Sequence, residues 1–179
     1  MANQFKDDKI TIIERDIDKI RNRPTMYISA LGNTGCLHLC KEIIDNNRDE
    51  CFKKESPGNT IRIKITNDYI IASDNGRGIP TNLLRVVHET NQAGSNMVRA
   101  HGTTAGENGT GSTAVVAMAK ELIVTTFRPT EKKKLTLIYN EGILKDEILE
   151  DYNGKDSGLT TKFTPSKKIL GTAGIPVEQ

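Results

Sequence analysis

The heptapeptide Asp74-Asn75-Gly76-Arg77-Gly78-Ile79-Pro80 follows directly on a short apolar stretch, Tyr69 to Ser73. Two glycines flanking one arginine permit a turn with positive φ and a close approach of the backbone to a flat ligand. A carboxylate just before such a turn can accept from an exocyclic amine. Upstream, Ile61, Ile63 and Ile65 alternate with Arg62 and Lys64, which predicts a strand with one wet face. Asn67-Asp68 is a turn by composition, so the two stretches read as a hairpin that delivers Asp74 to the end of a strand.

Before the hairpin a helix is predicted from about Cys36 to Lys53. At about 100° per residue, Leu37, Cys40, Ile44, Asn47 and Cys51 fall on one side and predict its core face. His38, Glu42, Asn46 and Asp49 fall on the other. A solvated polar face accounts for that quartet as it stands. It also has the makings of a site on a rigid element. The Asn46 amide oxygen suits a hard cation such as Mg2+. Glu42, one turn away, can take a proton from a water attacking a phosphate. His38, one turn further back, can orient Glu42.

Beyond the hairpin, Thr81 to Glu89 reads as a short helix, and Asn91 to Gly111 as a glycine-rich loop. The run Gly106-Glu107-Asn108-Gly109-Thr110-Gly111 opens a further helix, Ser112 to Lys120. Such a loop at a helix N-terminus offers backbone N–H groups to an anion. It is no Walker A loop, since Gly-Lys-Ser/Thr is missing, and no strand precedes it as in a dinucleotide fingerprint. Strands are predicted near Leu122–Phe127, Leu135–Tyr139 and Thr160–Phe163, and a helix over Ile10–Ile20 that Pro24 breaks. The fold class is α+β: a two-layer sandwich with helices on one face of a mixed, mostly antiparallel sheet.

Composition agrees. The chain has 179 residues, 36% hydrophobic and 27% charged, with a formal net charge of +2, which announces no nucleic-acid surface. The cysteines, Cys36, Cys40 and Cys51, form no CxxC pair and point away from a disulfide framework. No apolar run approaches the roughly 18–20 residues of a membrane span. Lys132-Lys133-Lys134 reads as a solvated turn, and His88 and His101 lack ligand-like partners at useful spacing.

The order of three segments carries more than each alone. Glu-Ile-Ile-Asp-Asn-x-x-Asp-Glu (42–50), Asp-Asn-Gly-Arg-Gly-Ile-Pro (74–80) and Gly-x-Asn-Gly-x-Gly (106–111) together resemble the GHKL ATPases. The segment Arg23-Pro24-Thr25-Met26-Tyr27-Ile28 resembles one found in gyrase B and topoisomerase II and narrows the likeness to type IIA DNA topoisomerases. Gly94-Ser95-Asn96 and the form with Asn108 look closer to the phage and eukaryotic enzymes. The resemblance implies an ATP-hydrolysing domain that uses Mg2+ and closes as a homodimer to drive DNA strand passage with a DNA-cleavage subunit or domain.

It further implies Glu42 as general base, with His38 supporting it and Asn46 on Mg2+. Asp49 and Asp74 would lie toward adenine, with Asp74 reading its amine and Gly78 and Ile79 lining the base, while Thr161 or its neighbour Thr160 would contact the ATP site. Ser95 and Asn96 would contact ribose or phosphate. Gly106, Glu107, Asn108, Gly109, Thr110, Gly111, Ser112 and Thr113 would cover the triphosphate. Residues 1–170 would form the ATP-binding domain and 171–179 a tail, without the family's transducer and cleavage domains. The setting implied is intracellular, cytoplasmic or nucleoid-associated, with no membrane. A nucleotide-gated dimerisation module and a MutL-type repair ATPase are the alternatives.

Overall fold

The computed structural model describes residues 15–91 and 111–177. In chain order these form α1 (Asp16–Asn22), a 3-10 turn (Pro24–Met26), α2 (Gly32–Phe52), β1 (Ile61–Ile65), β2 (Ile70–Asp74) and α3 (Thr81–Glu89). There follow α4 (Gly111–Met118), β3 (Ala119–Arg128), a 3-10 turn (Pro129–Glu131), β4 (Lys133–Asn140), β5 (Ile143–Asp151), β6 (Gly158–Pro165) and α5 (Lys167–Leu170). The six strands make one sheet in the order β1-β2-β6-β3-β4-β5. Every pairing is antiparallel, so among the described residues the sheet is not mixed.

Register fixes which residues meet the helices. Ala72 lies opposite Thr161, Thr161 opposite Val124, and Val124 opposite Leu137. These residues share one face with Ile70, Phe163, Leu122, Tyr139 and Leu135, and all of them are buried. Against that face pack Leu39, Cys40 and Ile43 of α2 and Leu84 of α3, while Ile17 and Ile20 of α1 join the same core beside α4. Helix α4 is buried from Thr113 to Met118. That is why its Ala- and Val-rich sequence shows no polar stripe.

The structure corrects four further sequence expectations. The core face of α2 is Cys36, Leu39, Cys40, Ile43 and Asn47, while Leu37 is exposed. The whole stripe is turned by about a sixth of a helical turn, because α2 is covered by both the sheet and α4. Strand β1 has no dry face: Ile63 and Ile65 stay exposed because β1 is the sheet edge. Strand β5 runs where the sequence predicts none, since Ile143–Asp151 lacks period-two alternation. It is the opposite edge and wet on both faces.

The last of these corrections concerns the expected tail. Thr172 and Ile175 are buried, and the Ile175 N–H donates to the Asn67 carbonyl at 2.7 Å. The Thr172 hydroxyl donates to Asn33 Oδ1 at 2.7 Å, tying this stretch to the start of α2. Apolar burial, not helix formation, holds it, which a search for periodicity does not see. Ile175→Ala is therefore expected to cost about 2–4 kcal/mol in urea-induced unfolding. A free tail would give no change.

Candidate functional site

The 74–80 turn is fastened from every side. Asp74 Oδ1 accepts from the Gly76 N–H at 2.8 Å. Asn75 Oδ1 accepts from the N–H groups of Asn59 and Thr60 at 2.9 and 2.8 Å. The Ser157 hydroxyl donates to the Gly76 carbonyl at 2.6 Å, and the Thr126 hydroxyl to the Ile79 carbonyl at 2.8 Å. Arg128 Nη1 donates to the Arg77 carbonyl at 2.7 Å. Gly78 has φ +68°, and a Cβ there would meet the carbonyl oxygens of Gly158 and Phe127 at 2.8 and 2.9 Å. Only glycine fits both demands.

Helix α2 joins this turn through Glu50. Its Oε1 accepts from the Arg77 N–H at 3.0 Å and from Nε at 2.8 Å, and its Oε2 accepts from Nη2 at 3.1 Å. Burial pushes the Glu50 carboxyl up, but the Arg77 donors and charge, with Lys53, outweigh it and bring it down to about 2. Asp74 moves the other way. Burial raises it to about 6, against the pull of the Gly76 N–H, and the nearby Glu50 charge adds to the rise. The site thus holds one carboxylate fixed in its ionised form and another that titrates just below neutrality.

Two turns N-terminal to Glu50, Glu42 meets the start of α4. A Cβ at Gly111 would lie 2.3 Å from Glu42 Oε2, so the absence of a side chain there makes room for the carboxylate. His38 Nε2 lies 3.7 Å from Glu42 Oε1, one turn back on the same face. Asn46 is exposed between them and the Glu50 end. Its amide makes no hydrogen bond among the described residues. Asp49 is engaged by Arg48 Nη2 at 3.1 Å, and Arg48 also reaches Asp45 at 3.0 Å.

The structure therefore brings together Glu42, His38 and Gly111 at the middle of α2, and Asp74, Gly78 and Ile79 toward its C-terminal end. Ser112 and Thr113 begin α4 beside Glu42, and the buried Thr113 hydroxyl has no partner among the described residues. Thr161 is buried on the helix-facing side opposite Ala72, two residues before Asp74. Thr160, opposite Ser73, takes the other side. Ser95, Asn96, Gly106, Glu107, Asn108, Gly109 and Thr110 lie outside the described residues.

Sequence reasoning assigns no role to Glu50, Asn75, Ser157 or Arg128. Glu50 is legible as the last acidic residue of the 42–50 segment. Ser157 and Arg128 reach the turn from distant strands, and nothing local marks them.

A helix-backed antiparallel sheet with these segments along α2 defines the chain as a GHKL-type ATPase fold. More narrowly, the chain is similar to gyrase B and topoisomerase IV B proteins. It is 32% identical to the DNA gyrase B protein of Spiroplasma citri, over 95% of its own length and 28% of that protein. It is 31% identical to the DNA topoisomerase 4 B protein of Enterococcus faecalis, over 96% of this chain and 24% of that protein. Its fold matches the 43K ATPase domain of Thermus thermophilus gyrase B, solved with an aminocoumarin, at a TM-score of 0.71 and 25% identity. That match covers 90% of this chain and 42% of the other. No family model matches the chain. The chain spans about a quarter of the length of the curated relatives it matches.

The Glu50–Arg77 pair generates a stability prediction. A depressed carboxyl stabilises above its ordinary value of 4.5, and that stabilisation is lost as pH falls toward about 2. Glu50→Gln is expected to cost about 2 kcal/mol at neutral pH, with the gap to wild type closing between pH 4.5 and 2. Urea unfolding over a pH series checks it. A gap independent of pH refutes the pair's role.

Proposed function

We propose that this chain is the ATP-binding and ATP-hydrolysing part of a type IIA DNA topoisomerase. One observation carries the reading. A single helix, α2, holds Glu42 against the N-terminus of α4 and, eight residues on, clamps the Asp74 turn through Glu50. Eight helical residues span about 12 Å, the scale of an extended nucleoside triphosphate. The two ends then serve the two ends of that molecule.

At the base end, ionised Asp74 accepts from the adenine amine, and Gly78, Ile79 and Thr161 line the ring. Asp49 stands near this side. At the phosphate end, the first N–H groups of α4, from Gly111, Ser112 and Thr113, face the anionic chain, which a helix N-terminus favours. Glu42 takes the proton of the attacking water, and His38 holds its carboxylate in place. Phosphoryl transfer needs chiefly positioning and charge neutralisation, which such groups supply.

The uncommitted Asn46 amide fits Mg2+, which takes one or two protein oxygens and completes its shell with water and phosphates. When bound, the ion neutralises charge on the phosphates. The roles proposed for Ser95, Asn96 and residues 106–110 complete the phosphate end. ATP binding closing a homodimer, strand passage of DNA, and a cleavage subunit or domain as partner belong to the same proposal. So does an intracellular setting. Among the described residues no helix is long and apolar enough to cross a membrane.

Two outcomes test this. Glu42→Ala is expected to keep binding of a non-hydrolysable ATP analogue while turnover falls about 100-fold or more. Lost binding would make Glu42 structural. Wild-type affinity for the analogue is expected to weaken relative to Asp74→Asn as pH drops below about 6, because protonation removes the charged acceptor. Titration calorimetry between pH 5 and 8 reads the ratio, and a flat ratio removes Asp74 from base recognition.

A further inference from the structure

Asn47 stands out among the groups that the reading above leaves unused. It is 1% exposed, on the face of α2 that packs against the sheet and α4. Its Nδ2 donates to the Ile43 carbonyl of its own helix at 2.7 Å, which assigns the amide orientation. Its Oδ1 is buried and accepts from nothing among the described residues. An unsatisfied buried acceptor is destabilising, because it gives up water and gains no donor. Asn is also a poorer helix former than Ala. Neither packing nor helix stability rewards an amide at this position.

Its place in the fold says what would. Asn47 lies one turn before Glu50 and Cys51. Those two residues meet the Asp74 turn: Glu50 holds Arg77, and Cys51 Sγ lies near the hypothetical Cβ of Gly58, whose other neighbour is Gly76. Helix α2 packs along β2 and β6, and the sheet residues facing it near this turn are Ala72, Thr161 and Asp74. Ala72 is small and shares the helix-facing side of β2 with Asp74, on the strand against which α2 packs.

We propose that Asn47 is a base-selecting residue, its Oδ1 accepting a hydrogen bond from the exocyclic amine of the bound purine alongside Asp74. The proposal rests on the nucleotide-binding reading. Two acceptors facing one amine, which carries two hydrogens, reject a base with a keto oxygen at that place, because oxygen would meet oxygen with no proton between. A site built around a hydrogen bond discriminates more sharply than one built on shape.

The test is calorimetric titration of the chain with the β,γ-imido analogues of ATP and of ITP, for wild type, Asn47→Ala and Asn47→Ser, with thermal unfolding of each ligand-free protein. The expected result is about a tenfold loss of ATP-analogue affinity in Asn47→Ala, a smaller change for the ITP analogue, and ligand-free stability equal to or above wild type. Asn47→Ser, which keeps a short polar group, reads the same comparison should the alanine variant fail to fold. Equal loss for both analogues, or unchanged affinity with lowered stability, overturns the inference and makes Asn47 a structural residue. Wild type binding neither analogue overturns the nucleotide reading itself, and the inference with it.

Discussion

Around the Glu50 carboxylate converge five donors: three from Arg77, the Ser56 hydroxyl and the Lys53 ammonium. Because one of them is the Arg77 backbone N–H, the pair fixes main chain as well as side chain. It binds the end of the longest helix to the turn that leaves the second strand. Two layers that meet mainly through apolar contact are pinned there, as they are elsewhere by Tyr139 on Glu89 and Arg21 on Glu141. Hydrophobic packing is tolerant of small slides, whereas a forked ion pair is not. The geometry of everything between α2 and the sheet follows from that anchor.

The anchor also separates the chemistry of two neighbouring carboxyls. Glu50, surrounded by donors, stays ionised throughout the physiological range. Asp74, desolvated and beside that fixed charge, is lifted toward neutrality. The first does structural work because its charge is always balanced. The second is suited to meeting a ligand because its charge is only partly balanced in the free protein. Environment, not residue type, makes this division.

The middle of α2, around Glu42, depends on a different constraint, the largely buried helix α4. With Thr113 to Met118 enclosed, α4 cannot shift without opening the core, so its first residues hold a fixed position beside Glu42. The missing side chain at Gly111 is what allows that approach. Rigid placement at both points, rather than any one reactive group, is what the fold provides.

Much of this is legible in the sequence. The hairpin into Asp74, the helix over 81–89, the helix after the glycine-rich run and the order of the three polar segments are all local patterns, set by period, turn chemistry and spacing. The sequence by itself determined the class of fold and the residues proposed to carry the chemistry, because each is encoded within a few neighbouring positions. Only the tertiary structure decided which stripe of α2 is buried, that β5 exists, that Thr172 and Ile175 are buried, and that Thr161 rather than Thr160 faces the helices. Those outcomes depend on what covers each element from a distance. An edge strand wet on both faces, or a Ser157 reaching a turn about eighty residues away, leaves no periodic trace in the chain that bears it.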